Sequence, residues 1–450
     1  MSTAAIAFPV STTQTRQHSP LWLPIAVACT LMALTFSIND DVPGGASLNA
    51  LLSKVKYGAR LVAIPVLAWI CVRQCQSQKS ACGLGAYVPF SCFVGWAILS
   101  TVWSPLTTFT FAQAGSLLTL CLLSCTFAVL CRTHQDAATL MRALCTALFL
   151  ISTVLLLLKF LVPPLAVMTR DGTGLFHATN TACTAALGLV LLVASHILWP
   201  SAWSRRLLLP AILTHVLVLF LSANRLSVGL TLLIMGSLFA RHVRPFYALL
   251  WVFCGCCSGA LYLAVDPGFE AIHASQDAMT SYARRGQSAD DMSAFSGREE
   301  MWQVMWESFR DSPWIGHGYF VTSRTGELTV WFKEGNWTAH NTLLQVLVST
   351  GIVGTTLFVC GIIVLFAVAF WRNTLRFETP GISKLLVVIF FWFFCWGILN
   401  ESIAGPLQPE SVVFFSILGM ALGRGAAAAN TPRNDMITHL FGSGTTLRDL

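Results

Sequence analysis

Two arginines and a histidine–asparagine pair stand out as candidates for chemistry in a sequence that is largely apolar. His340 and Asn341 are adjacent in "WTAHNTLLQVLVSTGIVGT", where a polar cluster runs directly into a long apolar segment. Arg225 opens the apolar run "RLSVGLTLLIM", and Arg298 opens the stretch "REEMWQVMWESF". Two arginines can bind a phosphate or diphosphate through charge-assisted, bidentate hydrogen bonds. A nearby histidine can take a proton from an incoming hydroxyl, so these residue types suit a transfer reaction in which a diphosphate departs.

The composition shows which medium must surround these residues. Hydrophobic residues make up 55% of the 450 residues and charged residues only 10%, whereas soluble domains approach about 25% charged. Apolar runs of membrane-spanning length recur along the chain. We therefore predict an all-α polytopic membrane protein. The net charge of +7 lies in short tracts between apolar runs, so it predicts topology and no nucleic-acid partner.

Hydropathy predicts about twelve transmembrane helices. The Lys/Arg bias places both termini in the cytoplasm, with helices 1–9 in residues 1–265, one large periplasmic loop at 266–340, helices 10–12 in 341–424 and a cytoplasmic tail at 425–450. The predicted spans are Leu21–Ile38, Tyr57–Cys71, Leu84–Trp103, Phe111–Cys131, Ala137–Val162, Thr181–Leu198, Leu207–Leu221, Leu226–Ala240, Phe246–Val265, Leu343–Trp371, Leu385–Asn400 and Leu407–Gly423.

The large loop carries the signature of a short helix. Ser296 and Glu299 have capping-box spacing, and Pro313 is expected to end the helix. Apolar residues follow at helical spacing, namely Met301, Trp302, Met305, Trp306 and Phe309. We expect this amphipathic helix to lie on the membrane surface or against the bundle, and we interpret its tryptophans as packing residues. Beyond the loop, Gly351 and Gly354 could bend the long tenth span.

Each candidate charge also has a structural explanation. Arg225 could extend to the membrane surface, Arg298 could be an ordinary solvated charge, and His340 could be a hydrogen-bonded interfacial residue. However, Arg225 is predicted on the outer side, where topology does not require a basic residue. Taken together, the three side chains favour a site that binds an anion and moves a proton.

The loop block "SGREEMWQVMWESFRDSPWIGHGYF" and the following "HNTLLQVLVSTGIVG" resemble the O-antigen ligase and polymerase superfamily of bacterial inner-membrane proteins. The resemblance covers about residues 170–370. The matching positions are Gly297, Arg298, Trp302, Pro313, Gly316, Gly318, His340, Asn341, Leu344, Gln345, Gly351 and Gly354. Two upstream segments are similar as well, "GLFHATN" with Gly174, His177 and Asn180, and "SANR" with Arg225, where the family has a Ser-x-Ser-Arg pattern.

The resemblance implies glycan transfer on the periplasmic face of the inner membrane. Members of the family move a glycan from undecaprenyl diphosphate to an acceptor sugar hydroxyl and release the diphosphate carrier. By this analogy Arg225 and Arg298 bind the diphosphate, and His340 is the catalytic residue that activates the acceptor. The analogy gives supporting or acceptor-side roles to Asn341, Gln345, His177 and Asn180.

The expected activity is that of a metal-independent glycosyltransferase without a cofactor. Its expected partners are the undecaprenyl-diphosphate-linked glycan, an acceptor glycan and membrane lipids, with a flippase and chain-length or export proteins as further candidates. We prefer a polymerase of oligosaccharide repeats in exopolysaccharide or O-antigen synthesis. The main alternative is a ligase that moves the finished glycan onto lipid A core or a protein. A polysaccharide transporter, which the span number suits, and a structural assembly protein are further alternatives.

Overall fold

The described part of the chain is a bundle of helices. A computed structural model describes residues 21–35, 45–77, 83–161, 176–199, 202–222, 224–240, 298–321, 329–330, 333–334, 339–375, 380–400, 403–404 and 407–429. The helices are α1 Trp22–Leu34, α2 Gly45–Ser77, α3 Val88–Leu99, α4 Thr107–Leu130, α5 His134–Leu161, α6 Ala178–Leu198, α7 Ala202–Leu221, α8 Arg225–Ala240, α9 Arg298–Asp311, α10 Thr342–Leu375, α11 Pro380–Leu399 and α12 Pro409–Ala429. Two 3₁₀ turns, Gly83–Tyr87 and Ser100–Val102, flank α3.

The helical membrane architecture is confirmed, while the number of twelve spans stays a prediction. In the described ranges, seven helices are long and apolar enough to cross a membrane. They are Ser47–Gln76, Leu84–Val102, Thr107–Leu130, His134–Leu161, Ala178–Leu198, Thr342–Thr374 and Ile382–Leu399. Four apolar helices are shorter, namely Trp22–Leu34, Arg206–Leu221, Arg225–Gly236 and Pro409–Gly423. The predicted ninth span, Phe246–Val265, lies outside the described residues.

The large loop contains the predicted helix and one element that was not predicted. Helix α9 ends at Asp311, two residues before Pro313, as the sequence indicates. Two short strands, β1 Thr329–Val330 and β2 Lys333–Glu334, pair antiparallel, so an all-α description misses them. The proposed cap Ser296 lies outside the described residues, and the periplasmic position of the loop and the four domain boundaries stay predictions.

The bundle is packed tightly where glycines let two backbones approach. Helix α12 packs against α4, and α10 packs against α3. A Cβ atom at Gly419 of α12 would collide with the carbonyl oxygen of Ser124, and one at Gly361 of α10 would lie 2.8 Å from the Cα of Phe90. Between helices in lipid, apolar burial contributes little, so close approach of this kind is a main source of packing energy.

Helix α10 is broken at Gly351. This glycine has φ +66° and ψ −172°, a conformation essentially restricted to glycine. Beyond the break, the N–H of Ile352 donates to the carbonyl of Pro313 at 2.8 Å, and the N–H of Val353 donates to that of Trp314 at 3.3 Å. The bend that the two glycines predicted is therefore real, and the turn that follows α9 occupies it.

The same turn satisfies the carbonyl groups on the other side of the break. The N–H of His317 donates to the carbonyl of Val348 at 3.2 Å, and the N–H of Gly318 donates to that of Ser349 at 2.9 Å. In an unbroken helix these two carbonyls would accept from the residues four positions later. Two helical hydrogen bonds are thus replaced by four bonds to residues 313–318, and the backbone groups at the break stay paired.

Tyr319 anchors the turn to the rest of the bundle. Its N–H donates to Ser100 Oγ at 2.9 Å, and its hydroxyl donates to the carbonyl of Ala404 at 2.7 Å. Its ring packs edge to face on Phe93 of α3, with the ring centroids 6.0 Å apart. One side chain therefore connects the turn to α3 and to the segment between α11 and α12.

Helix α9 lies against the bundle, which decides between the two positions predicted for it. Met301 and Met305 are buried in a small cluster with Ala339 and Val348. Trp306, on another side of the same helix, is 44% exposed. Met301 and Met305 therefore pack on the first part of α10, as their helical spacing indicates, whereas Trp306, which the spacing assigned to the same apolar stripe, does not share that burial.

Replacing Gly351 with alanine should destabilise the protein. The alanine would have to adopt a backbone conformation that only glycine tolerates, and its Cβ would collide with the backbone of Trp314. We therefore expect the free energy of unfolding to fall by roughly 2–5 kcal/mol. The measurement is the apparent Tm of the purified protein in detergent. Gly95→Ala is the matched control, because a Cβ there meets open space and the residue lies in regular helix. An unchanged Tm for Gly351→Ala would contradict the role of the break.

Candidate functional site

The backbone immediately before His340 is held from two sides. The N–H of Ala339 donates to Gln345 Oε1 at 2.8 Å, and the carbonyl of Ala339 accepts from Trp302 Nε1 at 2.7 Å. Gln345 belongs to the second turn of α10, and Trp302 belongs to α9. Ala339 is therefore fixed between the loop helix and the helix that follows the site, and the position of His340 is fixed with it.

The backbone after His340 is held by the cap of α10. Asn341 Oδ1 accepts from the N–H of Leu344 at 3.0 Å, which is the N-cap hydrogen bond expected of asparagine. Asn341 Nδ2 donates to the carbonyl of Ile398 at 3.2 Å, and Thr342 Oγ1 donates to that of Asn400 at 2.8 Å. The start of α10 is thus tied to the end of α11.

His340 itself has a strained backbone. Its φ is +46°, and Phe320 is the other non-glycine residue in the described ranges with a positive φ. Such a conformation is uncommon for residues other than glycine and costs free energy, so it persists only where the surroundings enforce it. The clamps on Ala339 and Asn341 supply that enforcement. The half-buried imidazole is consequently presented from a rigid and locally strained backbone.

The side chain of Gln345 is almost fully buried and connects two parts of the structure. It is 1% exposed, and its Nε2 donates to Ser349 Oγ at 3.2 Å while its Oε1 holds Ala339. Both ends of the carboxamide are therefore hydrogen-bonded, as a buried polar group requires. Because Ser349 also accepts from the turn through its carbonyl, Gln345 connects the His340 segment to the break in α10.

A second group of predicted residues lies at the ends of α6 and α8. His177 caps α6, with its Nδ1 accepting from the N–H of Thr179 at 3.3 Å, and Asn180 is buried in the first turn. Arg225 is half-buried at the start of α8, whose cap is Asn224, with its Oδ1 accepting from the N–H of Ser227 at 3.0 Å.

Helix register places His177 and Arg225 at the same end of the bundle. Helices α6 and α7 follow each other after a short connection and pack together, with the ring of His215 against Gly188. His177 lies about three turns before Gly188 on α6. Helix α7 continues for less than two turns from His215 to Leu221, and a short connection then leads to Arg225, so both residues lie toward the same end of the bundle.

The two groups share one end of the bundle. Glu410, in the first turn of α12, lies close enough to Cys183, in the second turn of α6, to act on it electrostatically. The start of α12 is therefore level with the start of α6. Only a short segment separates it from Asn400, which accepts from Thr342 at the start of α10. Helix α11, which carries Ile398, also packs against α8.

The backbone of Arg298 is placed by α9. It begins that helix one turn before Trp302, whose indole holds the Ala339 carbonyl. Gly297 and Gly174 of the motif lie outside the described residues. Within the described ranges no three His, Cys, Asp or Glu side chains group as the ligands of a metal would.

The structure adds Trp302, Asn224 and Ser349 to the residues that build the site. Trp302 was interpreted as packing, although its spacing from Arg298 matched the motif. A tryptophan whose indole N–H is buried needs an acceptor, and that was the signal available in the sequence. Asn224 carried the signal of a helix cap before an apolar run. Nothing in the local pattern marked Ser349, whose partner is a side chain one turn away.

Residues 172–359 match the family described as O-Antigen ligase. No curated protein matches the chain. The matched segment includes both groups of candidate residues, the loop helix, the turn and the broken part of α10. This match supports the resemblance that the motifs predicted: residues 172–359 are similar to the O-antigen ligase family.

Proposed function

We propose that the chain transfers a glycan from a polyprenyl diphosphate carrier to a sugar hydroxyl. The observation that carries the proposal is the strained, doubly clamped His340 at the end of the bundle where Arg225 and the start of α9 also lie. The imidazole accepts the proton of the acceptor hydroxyl as its oxygen bonds to the anomeric carbon. The bond from that carbon to the diphosphate oxygen breaks, and the electron pair leaves with the diphosphate.

The departing negative charge is stabilised by groups at the same end of the bundle. Arg225 and Arg298 bind the diphosphate in this proposal, since guanidinium groups match phosphate oxygens in bidentate geometry. The first turn of α10 begins directly after His340 and Asn341, and its N–H dipoles favour an anion there. The supporting roles proposed for His177 and Asn180 are on the acceptor side, and those for Asn341 and Gln345 are in holding His340.

Among acceptors, we prefer the growing end of another lipid-linked glycan, which makes the chain a polymerase for exopolysaccharide or O-antigen. One observation favours the ligase alternative, in which lipid A core or a protein is the acceptor: the matched family is described as O-Antigen ligase. In both cases we propose the inner membrane as the location, a periplasmic site and metal-independent transfer. A flippase and chain-length or export proteins are proposed partners.

Removing the base should slow transfer strongly without unfolding the protein. Asparagine tolerates a positive φ, so His340→Asn keeps the backbone and removes the proton acceptor. We expect transfer from a purified lipid-linked donor to fall by about 10²- to 10⁴-fold. His196→Asn is the control, because His196 lies in the last turn of α6, at the other end of that helix. Wild-type turnover in His340→Asn would refute the assignment of His340 as base.

Trp302→Phe tests whether the loop helix positions His340. The substitution keeps an aromatic ring but removes the hydrogen bond to Ala339, which is worth about 0.5–1.5 kcal/mol. We expect lower turnover with little change in membrane insertion. Trp306→Phe, in the same helix and 44% exposed, should behave as wild type. Equal turnover in both variants would show that the Trp302 hydrogen bond does not matter for the reaction.

A deletion strain separates the two proposed acceptors. Loss of a polymerase should leave single repeat units on the lipid carrier, because no second unit is added. Loss of a ligase should instead leave long chains on the carrier. The measurement is the length distribution of lipid-linked and surface glycans, with complementation by the wild-type gene as the control. Unchanged glycans of both kinds would count against either form of the proposal.

A further inference from the structure

Helices α2 and α4 bring two basic side chains to the first turn of α4. Arg60 Nη1 of α2 donates to the carbonyl of Ala112 in the second turn of α4 at 3.4 Å. Farther along both helices, Cys71 Sγ lies 3.1 Å from Thr126 Oγ1. Because the two contacts advance in the same direction along each helix, α2 and α4 are parallel and begin at the same end of the bundle. Lys56, one turn before Arg60, is therefore level with the first turn of α4.

Arg60 is buried although it carries a charge. Its side chain is 8% exposed and lies against α4, with its Cζ atom 5.3 Å from the centre of the Tyr57 ring. Its Nε has no hydrogen-bond partner among the described residues. A basic residue that serves topology alone extends its charge to the membrane surface, which Arg60 does not do. A buried cation costs free energy unless it is compensated, so the unused donor of Arg60 suits an anionic ligand.

Lys56 adds a second positive charge on the same face of α2. It is half-buried and lies close enough to Arg60 for the two charges to repel each other. Like charges four residues apart destabilise a helix. An anion in contact with both side chains would remove this repulsion, so the pair has the charge arrangement of an anion site.

The start of α4 contributes positive potential at the same level. The first turn begins at Thr107, and the residue at the N-cap position, Leu106, forms no side-chain capping hydrogen bond. Thr107 and Thr108 are exposed, so a ligand can reach this turn from outside. The N–H groups of a first turn and the helix dipole both attract anions. The buried, incompletely paired Arg60 is an independent sign that an anion belongs here.

The surface of α2 indicates which anion reaches this position. Polar residues, among them Ser53 and Lys54, precede the basic pair along the helix. Directly after the pair, Leu61 and Val62 are 72% and 65% exposed. Exposed apolar side chains on a membrane helix face hydrocarbon, so the basic pair lies at the boundary between hydrocarbon and the polar surface. The phosphate groups of membrane lipids occupy that boundary, and their chains extend along the apolar side of it.

We propose that Lys56, Arg60 and the first turn of α4 form a site, the α2–α4 site, that binds the phosphate group of a membrane lipid. Guanidinium and ammonium groups donate to the phosphate oxygens, and the lipid chains lie along the exposed apolar face of α2. The proposal goes beyond the proposed function, because the α2–α4 site uses neither of the arginines assigned to the donor diphosphate. His340 is held by α9, α10 and α11, whereas this site is built from α2 and α4.

Arg60→Gln tests the α2–α4 site by removing the buried charge and keeping a polar side chain. The matched control is Arg73→Gln in the same helix, where an exposed guanidinium lies 5.2 Å from the ring of Trp69. The probe is phosphatidylglycerol, added to the purified, delipidated full-length protein in detergent, and its Kd follows from the rise in apparent Tm. We expect Arg60→Gln to raise this Kd at least about tenfold and to make it less sensitive to salt. Arg73→Gln should leave both properties unchanged.

A second variant keeps the test decisive if Arg60→Gln does not fold. Lys56→Gln changes a half-buried side chain near the start of α2, and it should also raise the Kd for phosphatidylglycerol. A wild-type Kd in every folded variant would overturn the proposal.

Three further probes identify the ligand chemistry. Diacylglycerol with the same chains lacks the phosphate and should not raise the apparent Tm, and an equal rise would overturn the proposal by showing a site for acyl chains alone. Displacement of the lipid by an equal concentration of inorganic phosphate would also overturn it, since the site would then take a free anion. Tighter binding of undecaprenyl phosphate than of phosphatidylglycerol, lost in Arg60→Gln, would support the site and identify its lipid as a polyprenyl phosphate. Because every readout is binding, failure of this proposal leaves the assignment of His340 unaffected.

Discussion

The exchange of backbone hydrogen bonds at Gly351 is the constraint on which the site depends. An unpaired N–H or carbonyl group in an apolar medium costs several kcal/mol, so a transmembrane helix can break only where other groups replace the lost partners. Residues 313–318 supply those partners on both sides of the break. The turn and the helix therefore require each other, and the turn ties the loop that carries α9 to the membrane bundle.

From this exchange the arrangement around His340 follows. Before the break, Gln345 holds Ala339, and Ser349 accepts from both Gln345 and the turn. Helix α9, which precedes the turn, is thereby placed where Trp302 reaches the same alanine. The strained φ of His340 is maintained by these contacts.

The family motif and the hydrogen bonds of the structure involve many of the same residues. The motif identifies positions without stating what each does. The structure shows that Pro313, Gly316 and Gly318 of the motif build the turn, and that Gly351 permits the break that this turn fills. Gln345, Asn341 and Trp302 hold the segment around His340. Much of the motif therefore builds the turn, the break and the hydrogen bonds that surround one histidine at the edge of the bundle.

The sequence by itself determined the medium, most helix positions and the identity of the candidate residues. Hydropathy and periodicity are local properties, so α4, α5, α6 and α9 were predictable to within a few residues, and the helical spacing on α9 predicted its buried face. The two-residue strands β1 and β2 were not predictable, because so short a ladder has little local signal in the sequence. Only the tertiary structure decided which partners hold His340, because the Trp302 and Asn341 contacts join residues distant in sequence. It also decided the direction of α10, since a glycine permits a break but only its docked turn stabilises one.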